Sequence, residues 1–316
     1  MKKKLRLAVL MGGKSPEYEI SLISGKEVVR NLSPQKYDVI PIIISRDCTS
    51  FQLNNKKYLF SQLSAINCQL FFIAMHGPYG EDGTVQGLLE LLGINYTGSG
   101  VLASAIGMDK LYSRKLFIQV GLNVPKYIVL EKGENQRKVG KILNPPVFVH
   151  PNNQGSAIGA SLVKKEEDLE KALKTAFSYS DVILVDEFIK GTEVTCAILG
   201  NNNPFALPLV EIRSKHEFFD YESKYNPSLA DEICPAEIGK TLTKKAQKTA
   251  ISAYKAIGCR GFGRVDMIIK DKKIYVLEVN TTPGLTPVSL FPKAAHAAGI
   301  SYPQLLDKII HYSLQN

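Results

Sequence analysis

Two runs near the C-terminal end, Gly263-Arg264-Val265-Asp266-Met267-Ile268-Ile269-Lys270 and Ile274-Tyr275-Val276-Leu277-Glu278-Val279-Asn280, flank a short Asp271-Lys272-Lys273 turn. They read as paired β-strands that carry polar residues where a buried sheet should have none. Side chains alternate faces along a strand, so Arg264 and Asp266 share one face of the first run and Glu278 and Asn280 one face of the second. A hairpin centred on Lys272 sets Asp266 opposite Glu278 and Arg264 opposite Asn280. Opposed Cβ atoms lie roughly 5 Å apart, and two like charges there destabilise the pair unless something positive lies between them. A divalent cation is the economical filler. Two carboxylates and an amide with no Cys or His nearby favour magnesium or manganese over zinc, and magnesium so held completes its shell with substrate phosphates. The alternative is a surface hairpin with a salt-bridged Arg264, against which the flanking Val, Met, Ile and Leu argue.

After Asn280, the loop Thr281-Thr282-Pro283-Gly284-Leu285-Thr286-Pro287-Val288-Ser289-Leu290 leads into a helical pattern over Phe291–Ala298. Ser289 falls near that helix N-terminus, where free backbone N–H groups attract an anion. Alone it reads as a Ser cap; beside a metal hairpin it suggests a carboxylate pocket.

A chain of 316 residues with 45% hydrophobic content can bury two or three domain cores. No apolar run approaches the roughly 20 residues of a membrane span, so no membrane association is expected. Met1-Lys2-Lys3-Lys4 resembles the start of a signal peptide, but Gly12-Gly13 cuts the apolar run too soon, and Leu7–Met11 reads better as a first strand. Five scattered cysteines without a CxxC fit reduced thiols in a cytoplasm. The net charge of +9 is dispersed in twos and threes, which fits surface solvation or anionic small-molecule substrates and does not point to nucleic acid.

Leu7–Met11, Val39–Ile44 and Leu70–Ala74 read as short apolar strands separated by helical patterns over Ser21–Leu32 and Thr84–Leu92, the signature of a parallel sheet. Ligands bind beyond the strand C-termini of such sheets, and two Gly-rich loops fall there, Gly12–Glu17 and His76–Gly83. The Gly-Lys-Ser of the first is not a P-loop, because position 8 is Ala8; Gly98–Ala103 is only a weak dinucleotide signal, lacking an acidic residue near position 120. From about residue 101 the pattern changes. A strand over Pro145–His150 precedes Pro151–Ser161, a loop able to fold its N–H groups over phosphates or, alternatively, an ordinary hairpin loop. Further strands follow over Asp181–Val185 and from Gly191 to Leu199, and Arg213–Glu237 reads as one long irregular binding loop or lid.

These motifs together resemble the D-alanine:D-alanine ligases of the ATP-grasp superfamily nearly end to end. The resemblance is carried by Gly12–Ser21, His76-Gly77 with Gly80-Glu81-Asp82-Gly83, Tyr96–Gly100, Met108-Asp109-Lys110, Gly155-Ser156, Tyr221–Tyr225, Gly263–Asp266 and Leu277–Gly284. It implies an α/β ATP-grasp fold, with an N-terminal Rossmann-like parallel-sheet domain (1–100) and two α+β subdomains (101–187 and 188–316) that clasp ATP, the last bearing the 213–237 lid. The implied reaction, serving peptidoglycan precursor synthesis, phosphorylates one D-alanine's carboxylate with ATP and lets the amine of a second D-alanine attack the acyl phosphate.

The resemblance also implies roles. Asp266, Glu278 and Asn280 would hold magnesium or manganese, two ions in all, against the β- and γ-phosphates. Arg264 and the N–H of Gly284 would stabilise the oxyanion. Glu17 would anchor the first D-alanine's ammonium, oriented by Ser156 and Tyr225. His76 would also bind substrate, while Ser289 and Leu290 would receive the second D-alanine's carboxylate. Lys110, His150 and Lys224 would serve the nucleotide, with Glu187 and Phe188 at the adenine and Glu193 at the ribose. A cytoplasmic homodimer is the family expectation, and D-lactate or D-serine ligases and a weakly active ATP-binding paralogue are the alternatives.

Two departures from the family pattern bear on ATP affinity and rate. Val149-His150-Pro151 replaces Val-Lys-Pro, and a neutral imidazole supplies at most one donor. Gly155-Ser156-Ala157 replaces Gly-Ser-Ser and loses one hydroxyl.

Overall fold

The computed structural model describes residues 4–134, 139–215 and 229–315. Three sheets account for the strands among them. The first contains β1 (Leu5–Gly12), β2 (Tyr37–Ile44), β3 (Ser50–Leu53), β4 (Lys56–Leu59) and β5 (Leu70–Ile73) in the order β4-β3-β2-β1-β5. The expected parallel core is present, since β1 pairs in parallel with both β2 and β5. A hairpin that the sequence reading missed, β3–β4, extends it antiparallel from β2 through an Asn54-Asn55 turn with both residues at positive φ.

Residues 7 to 12 of β1 are buried on both faces, as the middle strand of a covered parallel sheet must be, and its apolar run is continuous rather than alternating. The chain then turns at Gly12 (φ +88), where a Cβ would sit 2.5 Å from the Ile44 carbonyl oxygen, so only glycine fits. The helix Tyr18–Asn31 lies over the strand ends. Its buried Ser21 accepts from Gly12 N (2.8 Å) and donates to the Ala74 carbonyl (2.8 Å), fixing both Gly-rich loops to one rim of the sheet.

The second sheet, order β6-β9-β7-β8, comprises β6 (Tyr127–Glu131), β7 (Val147–Pro151), β8 (Ser161–Val163) and β9 (Val182–Glu187). β9 carries Asp186 and Glu187 at its end, and they pair with Phe148 and Val147 of β7.

The third sheet is antiparallel, order β13-β12-β10-β14-β15, with β10 (Thr192–Leu199), β12 (Val210–Ser214), β13 (Ala230–Ile233), β14 (Phe262–Lys270) and β15 (Lys273–Asn280), and with β11 (Phe205–Ala206) on β10. The reading of 213–237 as one irregular loop is corrected at both ends, because β12 carries Arg213 and Ser214 and pairs with β13, Arg213 opposite Asp231. Residues 216–228, and with them Lys224 and Tyr225, lie outside the described residues.

The polar hairpin has the expected pairs, Asp266 opposite Glu278 and Arg264 opposite Asn280, by a different route. Its turn has two residues, Asp271 and Lys272, between the paired Lys270 and Lys273, and both are left-handed (φ 50 and 61) as a type I′ turn requires. The turn alone would slip the register by one. A bulge restores it: Met267 pairs with Val276 and Asp266 with Glu278, leaving Leu277 as the extra residue.

The helix Lys240–Ala256 covers the other face of β14 and β15 with Ala246, Ala250 and Ala253, small residues at helical spacing that let the backbones approach. The helices Leu290–Ala297 and Tyr302–Ser313 share one apolar core with the first and third sheets, in which Phe291, Leu305 and Ile309 join Leu7 and Val9 of β1 and Leu199 and Phe262 of β10 and β14.

Lys272→Gly should relieve one left-handed conformation that a side chain disfavours, at some cost in unfolded-state entropy, for a net stabilisation of roughly 0.5–1 kcal/mol. Thermal unfolding should shift upward by about 1–3 °C. A lowered midpoint would contradict the turn assignment.

Candidate active site

The opposed carboxylates of the hairpin are each held by a cation from the protein itself. Arg264 grips Asp266 with two hydrogen bonds, Nε to Oδ1 at 2.9 Å and a terminal nitrogen to Oδ2 at 2.8 Å. Lys110 stands 3.0 Å from Glu278 and donates to the Gln154 carbonyl at 2.7 Å. Burial disfavours the Arg264 charge, but Asp266, with Glu278 and Glu81 beyond it, outweighs burial and pushes the guanidinium pKa above its usual value. Asn280 donates its amide nitrogen to Asp266 Oδ2 (2.9 Å), which keeps its carbonyl oxygen as a hard ligand atom. Among the described residues there is no cluster of three or more His, Cys, Asp or Glu side chains able to hold a metal ion. Two carboxylates and one amide instead fit an open magnesium site completed by phosphate and water oxygens.

The bulge has a direct consequence here. Leu277 and Glu278 are consecutive, yet both line the same cleft, which an unbulged strand forbids. That cleft encloses about 1050 Å³ of open space, solvent at its mouth included, between the second and third sheets. It gathers Lys110, His150, Glu187, Phe188, Glu193, Arg264, Asp266, Glu278 and Leu290 of the residues singled out in the sequence, with apolar walls from Phe148, Ile189, Ile268 and Leu277.

Its floor holds a cluster that the sequence reading missed. Asp186 accepts two hydrogen bonds from Arg114 (2.6 and 2.7 Å) and one from His150 Nε2 (2.9 Å), all three residues being buried. Burial works against the Asp186 charge, but Arg114 and His150 overcome it and hold the carboxyl well below its usual range. His150 Nδ1 faces the Pro151 carbonyl (3.2 Å), so both ring nitrogens meet acceptors and a neutral ring can donate to only one. The imidazole expected at the phosphates is thus turned onto Asp186. In the sequence, only an acid extending the apolar run Ile183-Leu184-Val185 and an Arg one helical turn after Lys110 mark these residues, and neither indicates that they meet. Glu187 turns its carboxylate outward to accept from Lys126 N (2.8 Å).

Asn152 ties the Gly155–Ser161 loop to the helix Lys110–Gln119. Its side chain accepts from Leu111 N and donates to Asp109, each at 2.8 Å, while Asp109 caps the helix through Tyr112 N. Ser156 and Ala157 are consecutive left-handed residues (φ 52 and 55), a strained pair that costs on the order of 1–3 kcal/mol each. The strain turns the Ser156 hydroxyl to donate to Glu17 Oε1 at 2.6 Å, the pairing expected from sequence.

His76 is enclosed more fully than a substrate contact requires. Nε2 lies 2.8 Å from Ser24 Oγ, and Nδ1 faces Glu81 (3.3 Å) and the Thr282 carbonyl (3.2 Å). Burial would lower the His76 pKa, but the Glu81 hydrogen bond and the charges of Glu81 and Glu17 raise it, while burial raises that of Glu81. The pair therefore retains a shared proton to higher pH than either group alone. Glu81, unassigned in the sequence reading, lies in the quoted Gly80-Glu81-Asp82-Gly83 motif. Ser289 is the N-cap residue of its helix but does not cap it by side chain; its hydroxyl pairs with Thr286 Oγ1 (2.7 Å) and accepts from Thr286 N (3.1 Å). A Cβ on Gly284 would lie 2.9 Å from that hydroxyl, so the glycine keeps the two segments close.

Comparison with known proteins identifies the family. The family model for the D-ala D-ala ligase C-terminus matches residues 116–311, and that for the N-terminus matches 6–64 and 49–99. The D-alanine–D-alanine ligase of Desulforudis audaxviator is 47% identical over 308 residues, covering 96% of this chain and 97% of its own. The D-alanine–D-alanine ligase of Bacillus anthracis complexed with ATP superposes with a TM-score of 0.84 at 38% identity, covering 99% and 98% of the two chains. The D-Ala:D-Ser ligase VanG of Enterococcus faecalis gives 0.88 at 34% identity, covering 98% and 100%. With both family models and full-length relatives in agreement, the chain belongs to the D-alanine–D-alanine ligase family and has its ATP-grasp fold.

Proposed function

We propose that this enzyme joins two D-alanines to D-alanyl-D-alanine at the expense of ATP, with the residues described above as its machinery. The observation that supports the reading is that Lys110, Arg264, Asp266, Glu278 and Leu290 line one cleft together with Ala157, the neighbour of the Ser156 that donates to Glu17. Glu17 takes the ammonium of the first D-alanine and Ser156 holds Glu17 in place. A carboxylate oxygen of that D-alanine attacks the γ-phosphorus of ATP as the bond to the β,γ-bridging oxygen breaks, releasing ADP and leaving an acyl phosphate. The amine of the second D-alanine, its carboxylate against Ser289 and Leu290, attacks the acyl carbon and loses a proton. Arg264 and the Gly284 N–H meet the tetrahedral oxyanion, which collapses with expulsion of phosphate.

Asp266, Glu278 and Asn280 would hold magnesium or manganese, two ions in our reading, and the metal would supply neutralisation of phosphate charge. Lys110, already at Glu278, is within reach of the same phosphates, and the strained loop offers its N–H groups to them. Phe188, Ile189 and Leu277 form the walls of a base subsite whose floor is the Arg114–Asp186–His150 cluster, and Glu193 serves the ribose. His76 acts on the substrate loop through Glu81 and Thr282. Lys224 and Tyr225 keep the roles the family resemblance gives them, outside the described residues. All five cysteines are free thiols, in keeping with a cytoplasmic enzyme. We further infer three units, 1–100, 101–187 and 188–316, and a homodimer. The higher TM-score to the D-Ala:D-Ser ligase makes D-serine the alternative second substrate to test. A phosphate-release assay with ATP, magnesium and a panel of D- and L-amino acids and D-hydroxy acids decides among them; release dependent on D-alanine alone is expected, and release only with D-serine added would overturn the assignment of D-alanyl-D-alanine as the product.

Glu278→Gln removes one charge without changing volume, and should lower turnover by orders of magnitude while circular dichroism and the melting midpoint stay near wild type. Near-normal turnover would exclude Glu278 from the phosphoryl-transfer site.

Asp186→Asn leaves a buried guanidinium without its anion and should destabilise the fold by about 3–5 kcal/mol, whereas the paired Arg114→Met/Asp186→Leu exchange should recover most of the loss. If the cluster also serves nucleotide binding, the stabilised double variant should still show a raised KM for ATP. A double variant as unstable as the single one would contradict the ion-pair account.

A further inference from the structure

Thr195 lies on β10, directly across the sheet from Asp266 on β14, and is 1% exposed. Its flanking residues Val194 and Cys196 point into the apolar core, which places Thr195 on the opposite, cleft-side face of the strand. A buried hydroxyl costs free energy unless it is paired, and valine would fill the same space without that cost. The partner is unambiguous: Thr195 Oγ1 donates to Asp266 Oδ1 at 2.5 Å, with the Val265 carbonyl a distant second acceptor at 3.4 Å.

Asp266 accepts four hydrogen bonds: from Thr195 and Arg264 Nε on Oδ1, and from Arg264 and Asn280 on Oδ2. Four is the whole acceptor capacity of a carboxylate, so a metal ion can bind only where a donor withdraws. Arg264 and Asn280 both have other work in the reaction, one at the oxyanion and the other at the ion. Thr195 has none. It sits behind the carboxylate on a neighbouring strand, so its bond can persist while the Oδ2 donors exchange.

We propose that Thr195 is a positioning residue for the metal-binding carboxylate: its hydroxyl pins Asp266 Oδ1 and so presents Oδ2 to the ion. The inference rests on the reading of Asp266 as a metal ligand. Outer-shell donors of this kind typically change metal affinity by 10- to 100-fold when removed.

The test measures Mn²⁺ binding to the full-length enzyme by electron paramagnetic resonance, with a non-hydrolysable ATP analogue present, for wild type, Thr195→Val, Thr195→Ser and Asp266→Asn. Thr195→Val should weaken Mn²⁺ binding by about 10-fold or more. It should raise the Mg²⁺ concentration needed for half-maximal rate more than the KM for D-alanine, and Thr195→Ser should restore both. Should the valine variant fold poorly, Thr195→Cys, with only a weak donor, carries the same expectation. Loss of Mn²⁺ in Asp266→Asn with wild-type affinity in Thr195→Val would overturn the role of Thr195 alone. Unchanged Mn²⁺ affinity in Asp266→Asn would overturn the metal reading beneath it. Equal weakening in the valine and serine variants would assign Thr195 to packing and also overturn the proposal.

Discussion

Two carboxylates facing each other across a buried antiparallel pair are untenable without positive charge, and much of this molecule follows from meeting that requirement. Asp266 and Glu278 are neighbours because β14 and β15 pair in one register. Arg264 neutralises one and Lys110 the other. Both cations are also groups that an anionic substrate would engage, and a divalent ion held by the two carboxylates would supply further neutralisation of phosphate charge there. At an effective dielectric constant of about 20, unit charges 4 Å apart interact by about 4 kcal/mol, so each pairing offsets a repulsion of similar size between the opposed carboxylates.

The fold brings three independently built rims to that hairpin. The first sheet contributes loops anchored by Ser21, which set Glu17 and His76. The second contributes the strained Ser156-Ala157 turn, held to the helix of Lys110 by Asn152. The third contributes the hairpin and the Ser289 loop. Each rim stands on a different sheet, and the first and third sheets share the core of Phe291, Phe262 and Leu7, so the relative positions of the groups on those two rims depend on packing there as much as on local geometry.

The hairpin register was legible in the sequence because two errors of one residue cancel. A three-residue turn centred on Lys272 yields the same Asp266–Glu278 pair as the real two-residue turn followed by the Leu277 bulge. The parallel strands were legible because continuous apolar runs have few other uses. The β3–β4 hairpin was not, since Ser50–Leu53 and Lys56–Leu59 are short and partly polar. Nor was the Arg114–Asp186–His150 cluster, which joins residues up to 72 apart in sequence through tertiary contact alone. His150 illustrates the limit: its identity marked a departure from the family, but only its neighbours show that the ring faces a carboxylate.

If this hairpin site activates a carboxylate by phosphorylation, an oxygen of the substrate must pass to the released phosphate. With ATP, magnesium and D-alanine labelled by ¹⁸O in both carboxylate oxygens, mass spectrometry of the released phosphate should find one ¹⁸O for each dipeptide formed, because the oxygen that attacks the γ-phosphorus leaves with it. Dipeptide formed with unlabelled phosphate would mean that no acyl phosphate is made and that the carboxylate is not activated by phosphorylation.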